Sequence, residues 1–425
     1  MRVLRPTVFV CPFLLLAAAL LTAQSSRFQP SLLERPDVRA ALQSLDARGA
    51  AIVDEWIKIV EIPAPSRKEQ ARAEYMRAEM QKIGLTDIRT DDIHNLSGVR
   101  KGTGGGPVVV FAAHMDTVFP EGTPVKVKRE GNMLHAPGVG DDTSNLMATL
   151  EMFRALERGR VQTAGDLVFL ASVQEELGLV GAKHWLEKSG YKPDMFVAVD
   201  GPDLRVWYGA LRITQGKFFY STSPGAHTLQ SRGTPNPARA VAKAITALYE
   251  LPLPPIVAGL DTYKVPALNV GTLGGGTVAN AVPLEAWFTV DLRSLDTETQ
   301  TRLEREVIET ARLIAKQEGV GFRMEQSMNI DFSKARPQQE RLNHPLVQTA
   351  VAAANHFRPQ GTPVVVPQDL GSTDANIAIS MGIAGVSVGA ASTTKAHTLE
   401  ESSDATTIVP GIKFLISLAV ALTSK

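Results

Sequence analysis

The stretch VVVFAAHMDTV, residues 108–118, is the part of the sequence that most directly indicates the fold. Its short apolar run from Val108 to Ala113 predicts a buried strand. His114 and Asp116, two side chains able to serve a metal site, follow that run at once. In open α/β sheets, ligands bind at the carboxyl ends of the strands. The stretch therefore predicts an α/β sheet with a functional site at the end of this strand.

Outward from this stretch, helical and strand-like patterns alternate. Apolar residues recur at helical spacing in residues 52–60, 75–83 and 146–156. Two more short apolar runs, residues 167–173 and 195–199, read as strands. Strands that alternate with helices imply a sheet with helices on both faces.

The pattern changes after the third of these strands. Residues 208–328 show a strand–helix–strand–strand–helix–strand order, which predicts an inserted ferredoxin-like α+β lid domain. Strand-like runs then resume at residues 363–366 and 383–388, before a closing helix from about Pro410. The predicted organisation is a discontinuous α/β domain at residues 24–207 and 329–425, with the lid at 208–328.

The first 23 residues have the pattern of an export signal. Arg2 and Arg5 precede an apolar run at residues 8–21, and small residues follow up to Ala23. We expect cleavage near Ala23 and a periplasmic or extracellular mature protein that is not held at a membrane. The alternative is an uncleaved anchor, although the run is short for a full span of about 20 residues. The only cysteine, Cys11, lies in this segment, so the mature chain has no disulfide and no thiol ligand.

Overall charge excludes one class of partner. Lys plus Arg and Asp plus Glu are equal at 44 each, so the net charge is zero. The sequence therefore predicts no basic field that would attract nucleic acid.

Two imidazoles and three carboxylates lie beside or just after the strand-like runs or in loops. This donor set suits zinc and neighbouring metals. The candidate ligands are His114, Asp141, Glu176, Asp200 and His397. Each residue also has a structural explanation when taken singly, such as a helix N-cap or a first-turn glutamate. The ordered set favours a two-metal site.

The ligands can be assigned to two ions from the coordination that such a pair requires. Two ions held about 3.5–4 Å apart lower the pKa of a shared water. Asp141, in the turn GVGDDTSN, is the predicted bridge between them. His114 and Asp200 complete one ion, and Glu176 and His397 complete the other.

Two further carboxylates have predicted roles. Asp116 would lie on the same side of an extended strand as His114, where it could accept the hydrogen bond of the second ring nitrogen. Glu175 is expected to act as general base and later as general acid.

In these motifs the chain resembles the co-catalytic zinc exopeptidase family that includes peptidase T, glutamate carboxypeptidase, aminoacylase, and the acetylornithine and succinyl-diaminopimelate deacylases. The resemblance covers residues 48–424 and rests on HMDTV, GDD, the EE pair, VD and GSTDAN. It implies a zinc-binding α/β domain with an inserted dimerisation domain, and two zinc ions, with cobalt or manganese as alternatives. It also implies a cis peptide between Asp141 and Asp142.

The resemblance extends to the lid and to a later loop. SPGAH implies that His227 polarises the scissile carbonyl, often from the partner subunit, and GGGTVANAVP implies that Asn280 contacts substrate. DLR implies that Arg293 binds a substrate carboxylate, although it could instead pair with Asp291 or Glu285. The GSTDAN motif implies a substrate-side turn that includes Gly371, Ser372 and Thr373.

The function favoured at this point is exopeptidase cleavage of small peptides. SPGAH and the following NPARA resemble the peptidase T-like branch. An N-acyl-amino-acid deacylase is the alternative within the same chemistry. A bridged-zinc aminopeptidase without the lid fits less well, and a non-catalytic exported binding protein is the alternative of another class. The resemblance implies a homodimer formed through the lid.

Overall fold

The chain forms two structural units in a computed structural model that describes residues 26–256 and 265–424. Of the described residues, the first unit comprises 26–208, 336–368 and 373–424. The second comprises residues 209–335 and 369–372, where the lid had been predicted at 208–328. The export signal predicted for residues 1–23 lies outside the described residues.

The first unit contains most of the helices. They are α1 (Pro36–Asp46), α2 (Gly49–Val60), α3 (Gln70–Ile83), α4 (Thr143–Arg158), α5 (Val180–Lys188), α8 (Gln338–Leu342), α9 (Pro345–Phe357), α10 (Ala375–Ser380) and α11 (Ile408–Thr423). Between α5 and α8 in chain order, α6 (Pro237–Tyr249) and α7 (Thr297–Glu318) belong to the second unit.

The strands of the first unit form two sheets. They are β1 (Thr86–Thr90), β2 (Leu96–Arg100), β3 (Val109–His114), β4 (Lys128–Glu130), β5 (Met133–His135), β6 (Leu167–Ser172), β7 (Met195–Val199), β8 (Val206–Trp207), β13 (Ala384–Val388), β14 (Ser392–Thr394) and β15 (Ser402–Asp404).

The larger sheet has the strand order β1-β2-β6-β3-β7-β13-β8. Its central strands β6, β3, β7 and β13 are parallel to one another, and its outer pairings are antiparallel. Every residue of these four strands is buried, which explains their mainly apolar sequence. The smaller sheet, β14-β15-β5-β4, is antiparallel.

The helices pack around the larger sheet as their apolar faces require. Helix α3 ends at Gly84, whose left-handed φ of 86° closes the helix as the sequence predicted. The helical stretch Ala405–Thr423, which includes α11, is apolar and long enough to cross a membrane, but most of it is buried inside the unit, where α11 packs against α4 and α9. It is therefore a core helix of this unit.

The second unit has the predicted ferredoxin-like arrangement. Its strands are β9 (Arg212–Ser221), β10 (Ala267–Gly275), β11 (Glu285–Ser294) and β12 (Gly321–Asn329), in the antiparallel order β10-β11-β9-β12. Helices α6 and α7 pack on the sheet through a core that includes Phe218, Tyr220 and Phe288. The predicted fold class, an α/β domain with an inserted α+β domain, is confirmed.

One predicted strand is wrong. Residues 363–366 form a loop in which Val364 and Val366 are exposed. The backbone of Val365 bonds the side-chain amide of Asn355 through both its N–H and its C=O, each at 2.8 Å. The backbone of Val365 therefore pairs with the side chain of Asn355 and not with a neighbouring strand.

Candidate metal centre

The candidate ligands all belong to the first unit and come from the carboxyl ends of its strands and from two loops. His114 is the last residue of β3, Glu176 follows β6, and Asp200 follows β7 directly. Asp141 lies in the loop before α4, and His397 lies in the loop between β14 and β15. The sheet edge predicted from the sequence thus carries the site.

Asp141 stands between the two histidines. Its Oδ1 lies 3.1 Å from Nε2 of His114, and its Oδ2 lies 3.1 Å from Nε2 of His397. Each carboxylate oxygen therefore faces one imidazole, which is the arrangement required of a carboxylate shared by two ions.

The tautomer of His114 indicates that a cation fits between its Nε2 and Oδ1 of Asp141. Its Nδ1–H donates to the main-chain oxygen of Asp116 at 3.0 Å, because a carbonyl can only accept. In the neutral ring, the lone pair of Nε2 then points toward Asp141 Oδ1. Two acceptors at 3.1 Å repel each other unless a proton or a metal ion lies between them.

Glu176 shows the same feature at the second position. Its buried Oε1 has no hydrogen bond of normal geometry, although it lies 3.2 Å from His397 Nε2. That nitrogen faces carboxylate oxygens of both Glu176 and Asp141 and cannot donate well to both. A ring nitrogen and two carboxylates that converge in this way fit a zinc-like ion.

Two of the donor groups at the site share Asp141, and a third joins His114 to Glu175 and Glu176. One group contains His114, Asp141, Asp142 and Asp200, and the other contains Asp141, Glu176 and His397. Within each group the atoms lie within 4.8 Å of one another. Apart from Asp142, this is the division of ligands that the sequence predicts.

Asp142 has a structural part in the loop. Its Oδ2 accepts the backbone N–H of His114 at 3.0 Å, and its Oδ1 accepts the side-chain amide of Asn145 at 2.7 Å. Both oxygens therefore bind protein donors. The peptide between Asp141 and Asp142 is cis, as the resemblance implied.

Asp116 acts mainly on the two glutamates. Its Oδ1 accepts the N–H of Glu175 at 3.0 Å, and its Oδ2 accepts the N–H of Glu176 at 3.2 Å and the hydroxyl of Ser66 at 2.7 Å. Its carboxylate was predicted to hold the second ring nitrogen of His114, but the main-chain oxygen does so, with Oδ1 farther away at 3.4 Å. The short loop after β6 explains the difference, because it brings both backbone N–H groups to this carboxylate.

Glu175 is buried beside the ligands. Burial, together with the negative charges of Asp200 and Glu176, raises the pKa of Glu175 well above its usual value, although His114 opposes this. Burial likewise raises the pKa of Asp200, helped by Asp141. These shifts reflect a strongly negative, poorly solvated site.

The histidines respond in the opposite direction. Burial lowers the pKa of His114, but the charge of Asp142 and the bonds to Asp116 and Asp141 outweigh it, so the net pKa is raised. The nearby carboxylates of Asp141 and Glu176 raise the pKa of His397 to about 10. Both shifts have the same cause, which is the negative charge of the carboxylates around the two imidazoles.

Sequence reasoning missed two buried charged residues next to the site. Arg72 donates to the main-chain oxygens of Met115 and Ile62, each at 2.8 Å, and to the hydroxyl of Thr143 at 3.2 Å. Glu401 accepts three backbone N–H groups of the loop that carries Asp141. An available signal for Arg72 was a charged residue on the apolar face of α3, whereas nothing local distinguishes Glu401 from Glu400.

His227 and Asn280 lie together in the second unit. Nδ1 of the exposed His227 accepts the N–H of Leu229 at 3.3 Å, and residues 227 and 281 form an antiparallel bridge. The N–H of Thr228 donates to the main-chain oxygen of Asn280 at 3.0 Å. The residues that the resemblance singles out in two separate loops of the lid are therefore neighbours.

Arg293 pairs within its own strand. Its Nε and Nη2 bond the two carboxylate oxygens of Asp291 at 2.9 and 3.1 Å. This is one of the two alternatives to substrate binding that the sequence left open.

The GSTDAN segment adopts a turn that leads into α10. Gly371 has a φ of 133°, and its oxygen accepts the N–H of Leu211 at 2.9 Å. Ser372 follows it at the end of the second unit. Thr373 is buried, and its oxygen accepts the N–H of Asn376 at 2.8 Å.

Comparisons with known proteins identify the family of this chain. The sequence profile of peptidase family M20/M25/M40 matches residues 110–421. Uncharacterized protein YqjE of Bacillus subtilis is 24% identical over 385 residues, which cover 86% of this chain and 97% of that protein. An acetylornithine deacetylase of Erwinia tasmaniensis is 27% identical over 219 residues, covering 46% of this chain and 52% of that one.

A solved structure shares the fold. The crystal structure of aminopeptidase PepT from Bacillus cereus has a TM-score of 0.66 at 22% identity, covering 88% of this chain and 98% of that chain. The family resemblance inferred from the motifs is thus confirmed. Because the family profile matches most of its length, the chain belongs to peptidase family M20/M25/M40 and is a metal-dependent hydrolase of peptide or amide bonds.

Proposed function

We propose that this protein is a dinuclear metal-dependent exopeptidase that acts on small peptides. The observation that carries the proposal is the position of Asp141, whose two oxygens each face a different histidine at 3.1 Å. His114, Asp200 and Asp141 would hold one ion, and His397, Glu176 and Asp141 the other. Zinc fits the donor set best, and cobalt or manganese could also bind.

When bound, two such ions supply a nucleophile at neutral pH and polarise the substrate carbonyl. Glu175 is proposed to take the proton of the attacking water and to return it to the leaving nitrogen. Its backbone is held by Asp116, and its side chain is buried beside the ligands. Buried, positioned carboxyls of this kind are typical general bases.

His227 is proposed to stabilise the oxyanion that forms during hydrolysis. Its Nδ1 accepts a hydrogen bond from Leu229, so the neutral ring carries its proton on Nε2. That N–H could donate to the negative oxygen that develops on the scissile carbonyl. Asn280, in the neighbouring loop, is proposed to contact the same part of the substrate.

A preference for apolar side chains in the substrate is proposed from exposed residues that are close in sequence to the site residues. Val118, Leu177 and Leu399 are large apolar residues with 39%, 43% and 70% exposure, and each lies within two residues of Asp116, Glu176 or His397. Such residues beside a polar site support binding of apolar groups. Arg293 is proposed to bind a substrate carboxylate by exchanging its bond with Asp291.

The second candidate function is deacylation of N-acyl amino acids. The similarity to an acetylornithine deacetylase supports it, because removal of an acyl group from an amine uses the same bond chemistry. The two activities differ in whether the substrate amine is free or acylated.

A substrate panel with one variant tests these functions. The zinc-loaded protein would be assayed against free di- and tripeptides with apolar side chains, their N-blocked forms, and N-acyl amino acids. Cleavage of free peptides that is lost on blocking the amine supports an aminopeptidase. Turnover of N-acyl amino acids would support the deacylase instead. Glu175→Gln should lower kcat about 10²–10⁴-fold while zinc content stays unchanged.

No turnover of any substrate by a protein that binds two zinc ions would refute the enzymatic assignment. It would favour the non-catalytic binding protein.

We also propose that the chain forms a homodimer through its second unit. Leu229, Leu273 and Leu284 of that unit have exposures of 87%, 65% and 59%. Exposed apolar residues concentrated on one part of a protein often mark an interface. Light scattering should give twice the chain mass, and Leu273→Glu on the exposed strand β10 should yield monomers. A monomeric wild-type protein would contradict the proposal.

Export is proposed from the pattern of residues 1–23. Cell fractionation should find the protein outside the cytoplasm, with a mature N-terminus at about Gln24. Recovery of the intact N-terminus from the cytoplasm would reject this.

A further inference from the structure

Glu401 is a buried carboxylate whose oxygens are both occupied by one loop. Its Oε1 accepts the N–H groups of Gly140 at 2.7 Å and Asp141 at 2.8 Å, and its Oε2 accepts that of Gly138 at 2.9 Å. The residue is 0% exposed. The loop it holds is the one that carries the bridging carboxylate Asp141.

The same hairpin that carries Glu401 also carries His397. Strands β14 and β15 pair directly, and the loop between them contains both residues. Strand β15 then pairs with β5, which leads into the loop of residues 136–141. The hydrogen bonds of Glu401 therefore connect the β14–β15 hairpin, which provides His397, to the loop that provides Asp141.

The backbone in this region allows very little room for adjustment. Gly138 has a φ of 72°, and its N–H points to Glu401. A Cβ atom on Gly140 would lie 2.1 Å from Cγ2 of Thr393 in β14. The loop and the hairpin thus approach each other closely where the carboxylate binds.

We propose that Glu401 is a positioning residue that holds the carboxylate of Asp141 against His397 and so sets the affinity of the metal position shared by Asp141, Glu176 and His397. The role rests on the proposed dinuclear function. Three charge-assisted hydrogen bonds to consecutive parts of one loop restrict where Asp141 can lie. Residues that orient ligands in this way typically contribute about 10–100-fold to metal affinity.

Glu401→Gln is the direct test, because glutamine keeps the length of the side chain but has one acceptor oxygen. Its NH₂ group would face at least one backbone N–H, so one donor of the loop loses its acceptor. Glu151→Gln is the matched control. Glu151 is also 0% exposed, and its carboxylate pairs with Arg48, Arg154 and Arg158.

The measurement is a titration of the metal-free proteins with zinc in competition with a chelator of known affinity, together with urea unfolding of the metal-free state. We expect the wild type to bind two zinc ions per chain. In Glu401→Gln one of the two zinc association constants should fall about 10–100-fold. Glu151→Gln should lower the unfolding midpoint and leave both zinc constants unchanged.

Wild-type zinc constants in Glu401→Gln would overturn the role of Glu401 while leaving the proposed function intact. A wild-type protein that binds no zinc would overturn both. If Glu401→Gln does not fold, hydrogen exchange in the metal-free wild type decides. Slow exchange of the backbone N–H groups of Gly138, Gly140 and Asp141 is expected, and exchange at the rate of an exposed loop would overturn the role.

Discussion

Asp116→Asn tests how the backbone around the metal centre is held. The wild-type carboxylate accepts hydrogen bonds from the N–H of Glu175 and Glu176 and from the hydroxyl of Ser66. Asparagine has the same shape but replaces one oxygen by an NH₂ group, which is a donor. The substitution therefore changes the hydrogen bonds and the charge without changing the volume.

The structure indicates which orientation the asparagine should adopt. With its oxygen at the position of Oδ1, it keeps the bond to the N–H of Glu175 and stays near His114. The NH₂ group then faces Ser66, whose hydroxyl can rotate to accept, and faces the N–H of Glu176, which loses its acceptor. One largely buried donor is left unpaired, which costs about 1–3 kcal/mol of unfolding free energy.

The substitution should lower the unfolding free energy of the zinc-bound protein more than that of the metal-free protein. Loss of a carboxylate that lies 3.4 Å from the ring of His114 should weaken zinc binding, typically by about 10–100-fold. At about 1.4 kcal/mol per tenfold, this adds about 1.4–2.7 kcal/mol. The zinc-saturated variant should therefore be destabilised by about 2–6 kcal/mol in total.

Urea unfolding with and without saturating zinc measures both quantities. The matched control is Asp92→Asn, because the exposed Asp92 also contacts a histidine, His184, at 2.6 Å. That change should stay within about 0.5 kcal/mol in both states. An Asp116→Asn protein with the wild-type unfolding free energy and zinc affinity would refute the reasoning about this carboxylate.

Three further predictions concern the metal and the packing around it. Removal of the metal by a chelator should abolish hydrolysis, and added zinc should restore it. Zinc at 100 times its Kd should stabilise the fold by about 2.7 kcal/mol, which thermal unfolding would measure. Gly140→Ala should cost about 1–3 kcal/mol in urea unfolding and weaken zinc binding, because the added methyl group collides with Thr393. Burial raises the pKa of Glu55, but bonds to Arg154 and Tyr75 lower it below 4.5 overall. A group whose pKa is lower in the folded state stabilises the fold at pH values above its unfolded-state pKa, and this stabilisation is lost as the pH falls through the folded-state pKa. Glu55→Gln should therefore flatten the decline in stability of the metal-free protein below pH 4.5.

Local sequence patterns predicted the elements and the ligand residues. A short apolar run needs only its own residues to indicate a buried strand, and strand β7 was predicted at residues 195–199, where it lies. Helix α4 likewise contains residues 146–156, where apolar residues recur at helical spacing. The failure at residues 363–366 has the same origin, since a local pattern cannot report that Asn355 takes the backbone bonds of Val365.

The hydrogen bonds around the site could not be read from the sequence. Asp116 lies close to His114 in the chain, yet it binds mainly the backbone after a different strand. Glu401 is far along the chain from Asp141, and only the pairing of β15 with β5 brings them together. Arg293 had two acidic neighbours, and the strand geometry selected Asp291.

By itself, the sequence determined the alternation of strands and helices, the inserted second unit and the residue types that can bind two metals. Those properties depend on the side-chain period and on donor chemistry, which are local. Only the tertiary structure decided which carboxylate oxygen faces which imidazole. It also decided which carboxylates accept hydrogen bonds from backbone N–H groups and which remain available to bind a metal ion. These depend on distances of about 3 Å between residues from separate strands and loops, and such distances are fixed only when the sheet and the hairpin have packed together.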